Sequence, residues 1–300
     1  MKHAKTTKRA SLAIAAAAAL TATIATVPAT AGASVIGGVS ISETGDGLVI
    51  TGSSDKDAVS ITSAPDGALA IQVFADSGEL LGDRLVSEFA GDLTVNLGNN
   101  DDAVVVKGVD VGAVKINMGA GKDSADLEKV SLSSLELYGG QGDDSLGINE
   151  VRGARAQMAT GGGKASISIS GSVFKQTTIS TANDDDQVSI SQSSLGELGI
   201  FTHNGDDEVT TDWILFGGLT LALGEGDDFA SIGADDDLDA SYIGIYGQDG
   251  DDTLIVGSGF AINPQTAIFN GGADHDTFKP AAGKSAVDDW FLLLVEEIAP

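Results

Sequence analysis

The sequence predicts an all-β fold, a right-handed parallel β-helix (solenoid) of 21–24-residue coils with capped ends. Three observations carry that prediction. The first is a repeat: Asp102, Asp123, Asp144, Ala165, Asp186, Asp207 and Asp228 stand 21 residues apart, and Asp252 and Asp276 follow at steps of 24. A period held without insertions marks stacked, equivalent units. The second is short period-2 alternation, as in Leu93/Val95/Leu97, Val114/Ile116/Met118 and Leu219/Leu221/Leu223, which is strand spacing and not the 3.6 of a helix. The third is the glycine turn before each acid, clearest in Gly139-Gly140-Gln141-Gly142-Asp143-Asp144. Strands this short cannot bury an apolar face alone, but stacked about 4.8 Å apart they share one core. A β-sandwich is the competing architecture; its hairpins do not call for a fixed 21-residue period.

Taken in order, residues 1–33 read as a secretory signal. Lys2, Lys5, Lys8 and Arg9 precede the apolar run Leu12–Val27, and Ala29-Thr30-Ala31-Gly32-Ala33 offers small residues for cleavage after Ala31 or Ala33. The run is short and rich in Ala and Thr for a membrane anchor, so no membrane span is expected after cleavage. Residues 34–92 form an N-terminal cap and first coils, in which Pro65-Asp66-Gly67 signals a turn and leaves coils and an antiparallel hairpin both open. The regular helix covers 93–280, with coils opening at Leu93, Val114, Leu135, Ala156, Thr177, Leu198, Leu219, Ile243 and Ala267. After each turn comes a second alternating pair, such as Val104/Val106, Ile167/Ile169, Val188/Ile190 or Leu254/Val256, and then a looser patch such as Val109/Val111 or Trp213–Phe216. Residues 281–300 read as a C-terminal cap, because Trp290-Phe291-Leu292-Leu293-Leu294-Val295 is too apolar to leave beside an open core.

The chain has 300 residues, no Cys and a formal charge of −28, and loss of the four bases of the signal takes it to −32. Such a charge repels nucleic acid and anionic membranes and attracts cations. Without Cys there is no disulfide framework, so stability outside the cell must come from elsewhere.

The acidic turns are the candidate site. Each Asp shares strand parity with the apolar residue two positions on, so it points inward, about 4.8 Å from its copy in the next coil. Two such charges repel by about 0.9 kcal/mol in water, so a column needs cations or raised pKa values. Carboxylates and turn carbonyls, without Cys or a His cluster, favour Ca²⁺ among metals. The preceding residue alternates in charge through Asp101, Lys122, Asp143, Lys164 and Asp185, then runs Asp206, Asp227, Asp251 without a base. The expected ligands are therefore Asp144, Asp186, Asp206, Asp207, Asp227, Asp228, Asp251, Asp252 and Asp276. The alternative is that these are turn-forming residues with solvated side chains.

Gly139–Gly147 resembles the hemolysin-type calcium-binding (RTX) nonapeptide G-G-x-G-x-D-x-U-x at all nine positions. The resemblance implies Ca²⁺ held between successive turns of a parallel β-roll by Asp144-type carboxylates and glycine-turn carbonyls. Two departures stand against it: the motif occurs once per coil and not in tandem, and Gly161-Gly162-Gly163-Lys164-Ala165 has lost its acid. The chain as a whole looks like the secreted bacterial β-helix proteins that carry degenerate repeats of this kind.

No catalytic residue is assigned. His203 and His275 pair with no nearby Ser or Cys pattern in sequence, and Arg152, Arg155 and Tyr138 could serve a calcium-dependent polysaccharide lyase or epimerase only if they lined a groove. The expected function is that of a secreted or surface-associated, calcium-binding structural or adhesive protein, outside the enzymes. Its expected partners are calcium and an extracellular polysaccharide or cell-surface component.

Overall fold

A computed structural model describes residues 33–45, 47–234, 240–257, 267–279, 291–293 and 297–298. The predicted signal lies outside the described residues except for Ala33, as does most of the predicted C-terminal cap. The fold is a β-solenoid of stacked parallel coils of about 21 residues, as the repeat predicts. Each coil gives one strand to each of two sheets, and the acidic turn joins the two strands. Two compact units divide at Gly147/Ile148.

In the first unit, Gly47–Thr51, Asp92–Asn99, Val114–Ala120 and Ser134–Gln141 pair in parallel as one sheet. Ala58–Ser63, Ala103–Lys107 and Ser124–Glu128 pair in parallel as the other. Register follows the repeat: Leu93 lies against Val114 and Val114 against Leu135. Leu93, Val95, Leu97, Val104, Val106, Ile116, Met118, Leu135 and Leu137 are all buried, so the alternating residues read from sequence are the core.

The N-terminal end settles the choice left open at Pro65–Gly67. Those residues form a tight 3-10 turn, with Asp66 at φ 60, and Ala58–Ser63 returns antiparallel as Leu69–Phe74. Leu80–Val86 then pairs antiparallel with Leu69–Phe74. On the other sheet Ser34–Ile36, Val39–Thr44 and Gly47–Thr51 form a second antiparallel meander. Both sheets therefore meet their N-terminal edge with antiparallel strands, which occupy the donors and acceptors that the first parallel coil would leave bare. Arg84, on the outermost strand of one sheet, ties the two meanders together. Its guanidinium donates to Ile41 O at 2.7 Å and Ser34 Oγ at 3.1 Å, and pairs with Glu43.

In the second unit the first sheet contains Arg152–Gly162, Val173–Ser180, Ser194–Asn204, Gly218–Glu225, Tyr242–Asp249, Ala267–Ala273 and Phe291–Leu293, in parallel order. The second sheet runs Ser166–Ser170, Gln187–Ser191, Glu208–Ile214, Phe229–Ala234, Thr253–Val256, Thr277–Lys279 and Glu297–Ile298. Phe291–Leu293 and Glu297–Ile298 thus continue the two sheets strand for strand. Ile167, Val188 and Leu254 are at most 1% exposed, but Trp213 is 59% exposed at φ 52, while Ile214 and Phe216 beside it are buried. A register irregularity between Thr211 and Ile214 turns the tryptophan outward.

Candidate functional site: two aspartate rows in the turns

The turn between the sheets has a recurring build. In most coils two residues, four and two before the inward acid, take positive φ, as Gly140 (φ 111) and Gly142 (φ 120) do before Asp144, while before Asp186 only Asp184 (φ 73) does so. Stacking brings these backbones very close. A Cβ on Gly140 would lie 1.8 Å from Gly119 O, and one on Gly142 1.9 Å from Gly121 O. Glycine is therefore required twice over, by conformation and by space. The glycine five before the acid makes room for the acid itself, since a Cβ at Gly139 would fall 2.3 Å from Asp144 Oδ2 and one at Gly247 1.9 Å from Asp252 Oδ2.

The inward acids Asp57, Asp102, Asp123, Asp144, Asp186, Asp207, Asp228, Asp252 and Asp276 are each at most 2% exposed. They form a ladder of one design. In the first unit Asp57 N–H donates to Asp102 Oδ1 at 2.8 Å, Asp102 N–H to Asp123 Oδ1 at 2.7 Å, and Asp123 N–H to Asp144 Oδ1 at 3.0 Å. In the second unit Ala165 N–H donates to Asp186 Oδ1 at 2.6 Å, and the chain continues through Asp207, Asp228, Asp252 and Asp276 at 2.7–3.0 Å. Each carboxylate from Asp102 onward thus reaches back one coil and accepts a backbone N–H that would otherwise be orphaned, whereas Asp57, at the start of the ladder, accepts from Ser53 N–H in its own turn at 2.6 Å. Ala165 shows why one acid could be lost: its coil still offers the N–H that Asp186 needs.

The outer acids, one residue earlier, pull the other way. Asp206 N–H donates to Asp185 Oδ1 at 3.2 Å, Asp227 N–H to Asp206 Oδ1 at 3.0 Å, Asp251 N–H to Asp227 Oδ1 at 2.9 Å, and His275 N–H to Asp251 Oδ1 at 2.9 Å. Lys122 N–H likewise donates to Asp101 Oδ1 at 2.9 Å. An adjacent Asp-Asp pair therefore clips its coil to both neighbours, the inner acid to the preceding one and the outer acid to the following one. The alternating bases do what their spacing predicts: Lys122 pairs with Asp143 at 3.4 Å, and Lys164 pairs with Asp185.

The electrostatics of the two rows differ. Burial, partly offset by the backbone N–H and reinforced by neighbouring carboxylates, raises Asp102, Asp144 and Asp252 to about 7, Asp228 to about 8 and Asp207 to about 6. Asp123 and Asp186 are also raised, burial being the largest cause. The second oxygens of Asp102, Asp123, Asp144, Asp228 and Asp252 are buried without a hydrogen-bond partner. Asp185 is lowered, first by its hydrogen bond with Lys164.

The fit to calcium can be judged from this donor set. Ca²⁺ takes six to eight oxygens converging on one point. Among the described residues no three Asp, Glu or His side chains gather in that way. Asp144, Asp186, Asp207, Asp228, Asp252 and Asp276 each give Oδ1 to a backbone N–H or stand in the ladder that does so, while Asp206, Asp227 and Asp251 give Oδ1 on the outer row. The predicted ligand residues fall on two rows, inner and outer, and not in one shell.

The stacking also joins residues that sequence spacing keeps apart. His203 has a serine neighbour after all: its Nε2 lies 3.1 Å from Ser180 Oγ, one coil away, at a hollow of about 420 Å³. His203 holds a positive φ of 74 where most coils have glycine. Among the described residues no carboxylate hydrogen-bonds its ring, so the base–orienter geometry of a triad is not formed. Arg152 and Arg155 lie on one strand, exposed, and Tyr138 contacts Glu136 and the Lys115 ammonium in the first unit. Comparison with protein-family models, with curated proteins and with solved structures finds no match. Among the described residues no helix is long and apolar enough to cross a membrane.

Proposed function

We propose that this protein is an exported structural β-solenoid, a non-catalytic scaffold that displays an acidic edge. The observation that carries this reading is the use of the acids. Every inward carboxylate from Asp102 onward is spent on a backbone N–H of the preceding coil, so the repeated acid serves assembly of the stack. Divalent cations enter as counterions of the outer row, where Asp206, Asp227 and Asp251 follow one another with no base between them. Calcium-binding in this sense is screening at an anionic edge, and export follows from the segment 1–33.

The test compares the two rows in the full chain. Asp206→Asn with Asp227→Asn and Asp251→Asn should keep the fold and lose most of any calcium-induced rise in melting temperature. Asp207→Ala with Asp228→Ala should lower the melting temperature with or without calcium. Calcium titrating as one tight stoichiometric site that the inner pair abolishes would overturn the scaffold reading in favour of a dedicated calcium centre. N-terminal sequencing of exported protein should find Gly32 or Ser34 first.

A further inference from the structure

In a chain with 44 acids and 16 bases, almost any exposed base finds a carboxylate. Lys56, Arg84, Lys107, Lys115, Lys122, Lys129 and Lys164 all do so. Among the described residues Arg152, Arg155 and Lys175 form no ion pair, and neither does Lys279, which stands apart from them. The first three sit together. Arg152–Gly162 and Val173–Ser180 are adjacent parallel strands, with Arg152 against Val173 and Arg155 against Gln176. All three side chains are exposed, and they face solvent on neighbouring coils. Three like charges on two adjacent strands repel one another, and none of the chain's own carboxylates pairs with them among the described residues.

The same outward column continues away from this cluster. Register carries it from Arg155 to Gln176, Glu197, Gly218 and Tyr242. Tyr242 does not stand up from the sheet. Its ring lies back over Gly218, where a Cβ would fall 2.3 Å from Tyr242 Cε1, and its hydroxyl donates to Glu197 Oε2 at 3.1 Å. The glycine therefore leaves a slot that lays an aromatic ring, 41% exposed, along the solenoid surface and holds it there by a hydrogen bond. The column spans four coil steps, about 19 Å at 4.8 Å each. It presents cations at one end, an amide and a carboxylate in the middle and a flat aromatic face at the other.

We infer that this column is a binding face for a linear acidic glycan, with a sugar carboxylate held by Arg152, Arg155 and Lys175 and a sugar ring stacked on Tyr242. Guanidinium groups match a carboxylate bidentately. The face of a pyranose is apolar C–H and its rim is hydroxyl, which suits a tyrosine ring with Gln176 and Glu197 beside it. A thin polymer engages such a track without bringing a second, strongly acidic protein surface close. The inference adds a ligand to the scaffold proposed above and assigns it no reaction.

The test is affinity electrophoresis of the full chain in gels containing a polyuronate, run in chelator so that divalent cations cannot bridge protein and polymer. The same polymer as its neutral methyl ester, and a neutral dextran, serve as comparisons. Retardation is expected with the polyuronate alone and should weaken with added salt. Arg152→Ala with Arg155→Ala and Lys175→Ala should weaken binding at least tenfold at unchanged melting temperature. Tyr242→Ala should weaken it severalfold and Tyr242→Phe less. Absence of retardation by the parent chain, or retardation that the triple variant keeps, would overturn the inference. So would a concentration-dependent dimer in sedimentation that the triple variant abolishes, since the cluster would then serve a second copy of the chain. Shortening of the polymer during incubation would contradict the non-catalytic scaffold and leave the binding face standing, so the two readings fail separately.

Discussion

Asp144 and Gly224 show how much one residue carries in this turn. Asp144→Ala removes the acceptor of Asp123 N–H, a buried donor. The cost should be about 1–3 kcal/mol in chemical denaturation. Asp144→Asn keeps an Oδ1 in place and should cost less; the reverse order would show that the charge, and not the acceptor, is what the coil needs. Gly224 sits at φ 129, and a Cβ there would come within 1.5 Å of His203 O. Gly224→Ala should therefore prevent native stacking of its coil. Gly78→Ala, at φ 83 with nothing within 4 Å, should cost only about 1–2 kcal/mol of backbone strain. Strand parity made the inward aim of Asp144 legible in the sequence. It could not show which atom the carboxylate meets, because that partner lies 21 residues away and is fixed only by the stacking distance. The Ser180–His203 pair and the Tyr242–Glu197 bond escaped for the same reason, since both cross between coils.

At the scale of the element, the alternation that defines each strand should be intolerant on one side alone. Ile167→Asp, Val188→Asp or Leu254→Asp buries an uncompensated charge, and each should abolish folding as read by circular dichroism. Trp213→Asp should be tolerated, because that side chain faces outward. Melting temperatures that rank Trp213→Asp with the other three would mean the inner face is misassigned. The N-terminal meanders add a second test. Arg84→Ala removes charged hydrogen bonds to Ile41 O and Glu43, and a loss of about 2 kcal/mol is expected, with Arg84→Lys recovering only part. The coils from Leu93 onward were legible, because steps of 21 and then 24 residues placed each of them. The described residues up to Asp92 were legible only in part. Pro65-Asp66-Gly67 marks a turn equally well in a hairpin or a coil, and only the pairing of Ala58–Ser63 with Leu69–Phe74 decides. Trp213 was read with an apolar patch, since its sequence neighbours are core and the irregularity that turns it outward leaves no compositional mark.

At the scale of the whole molecule, charge is the dominant variable. The outer row is an exposed line of like charge, so calcium and magnesium should raise the melting temperature by similar amounts. A strong preference for calcium would instead indicate a fitted cage. The inner row makes a different demand, which ions in solution do not reach directly. Its carboxyls have an ordinary value of 3.8 when the chain is unfolded and are raised in the folded state, Asp207 to about 6, Asp102, Asp144 and Asp252 to about 7 and Asp228 to about 8. A group raised on folding binds its proton more tightly in the native state. Its contribution to stability is complete below the unfolded value and is lost as pH rises through the folded one, at about 1.4 kcal/mol for each unit of upward displacement. The most direct test of the ladder is therefore the melting temperature of the full chain in chelator as a function of pH between 5 and 9, beside that of Asp228→Asn. The buried ladder predicts a melting temperature that falls steadily across this window, with a shallower fall in the variant because one proton-linked carboxyl is gone. A melting temperature that is flat or rises with pH would contradict it, and would place these carboxylates, ionised and solvated, outside the core.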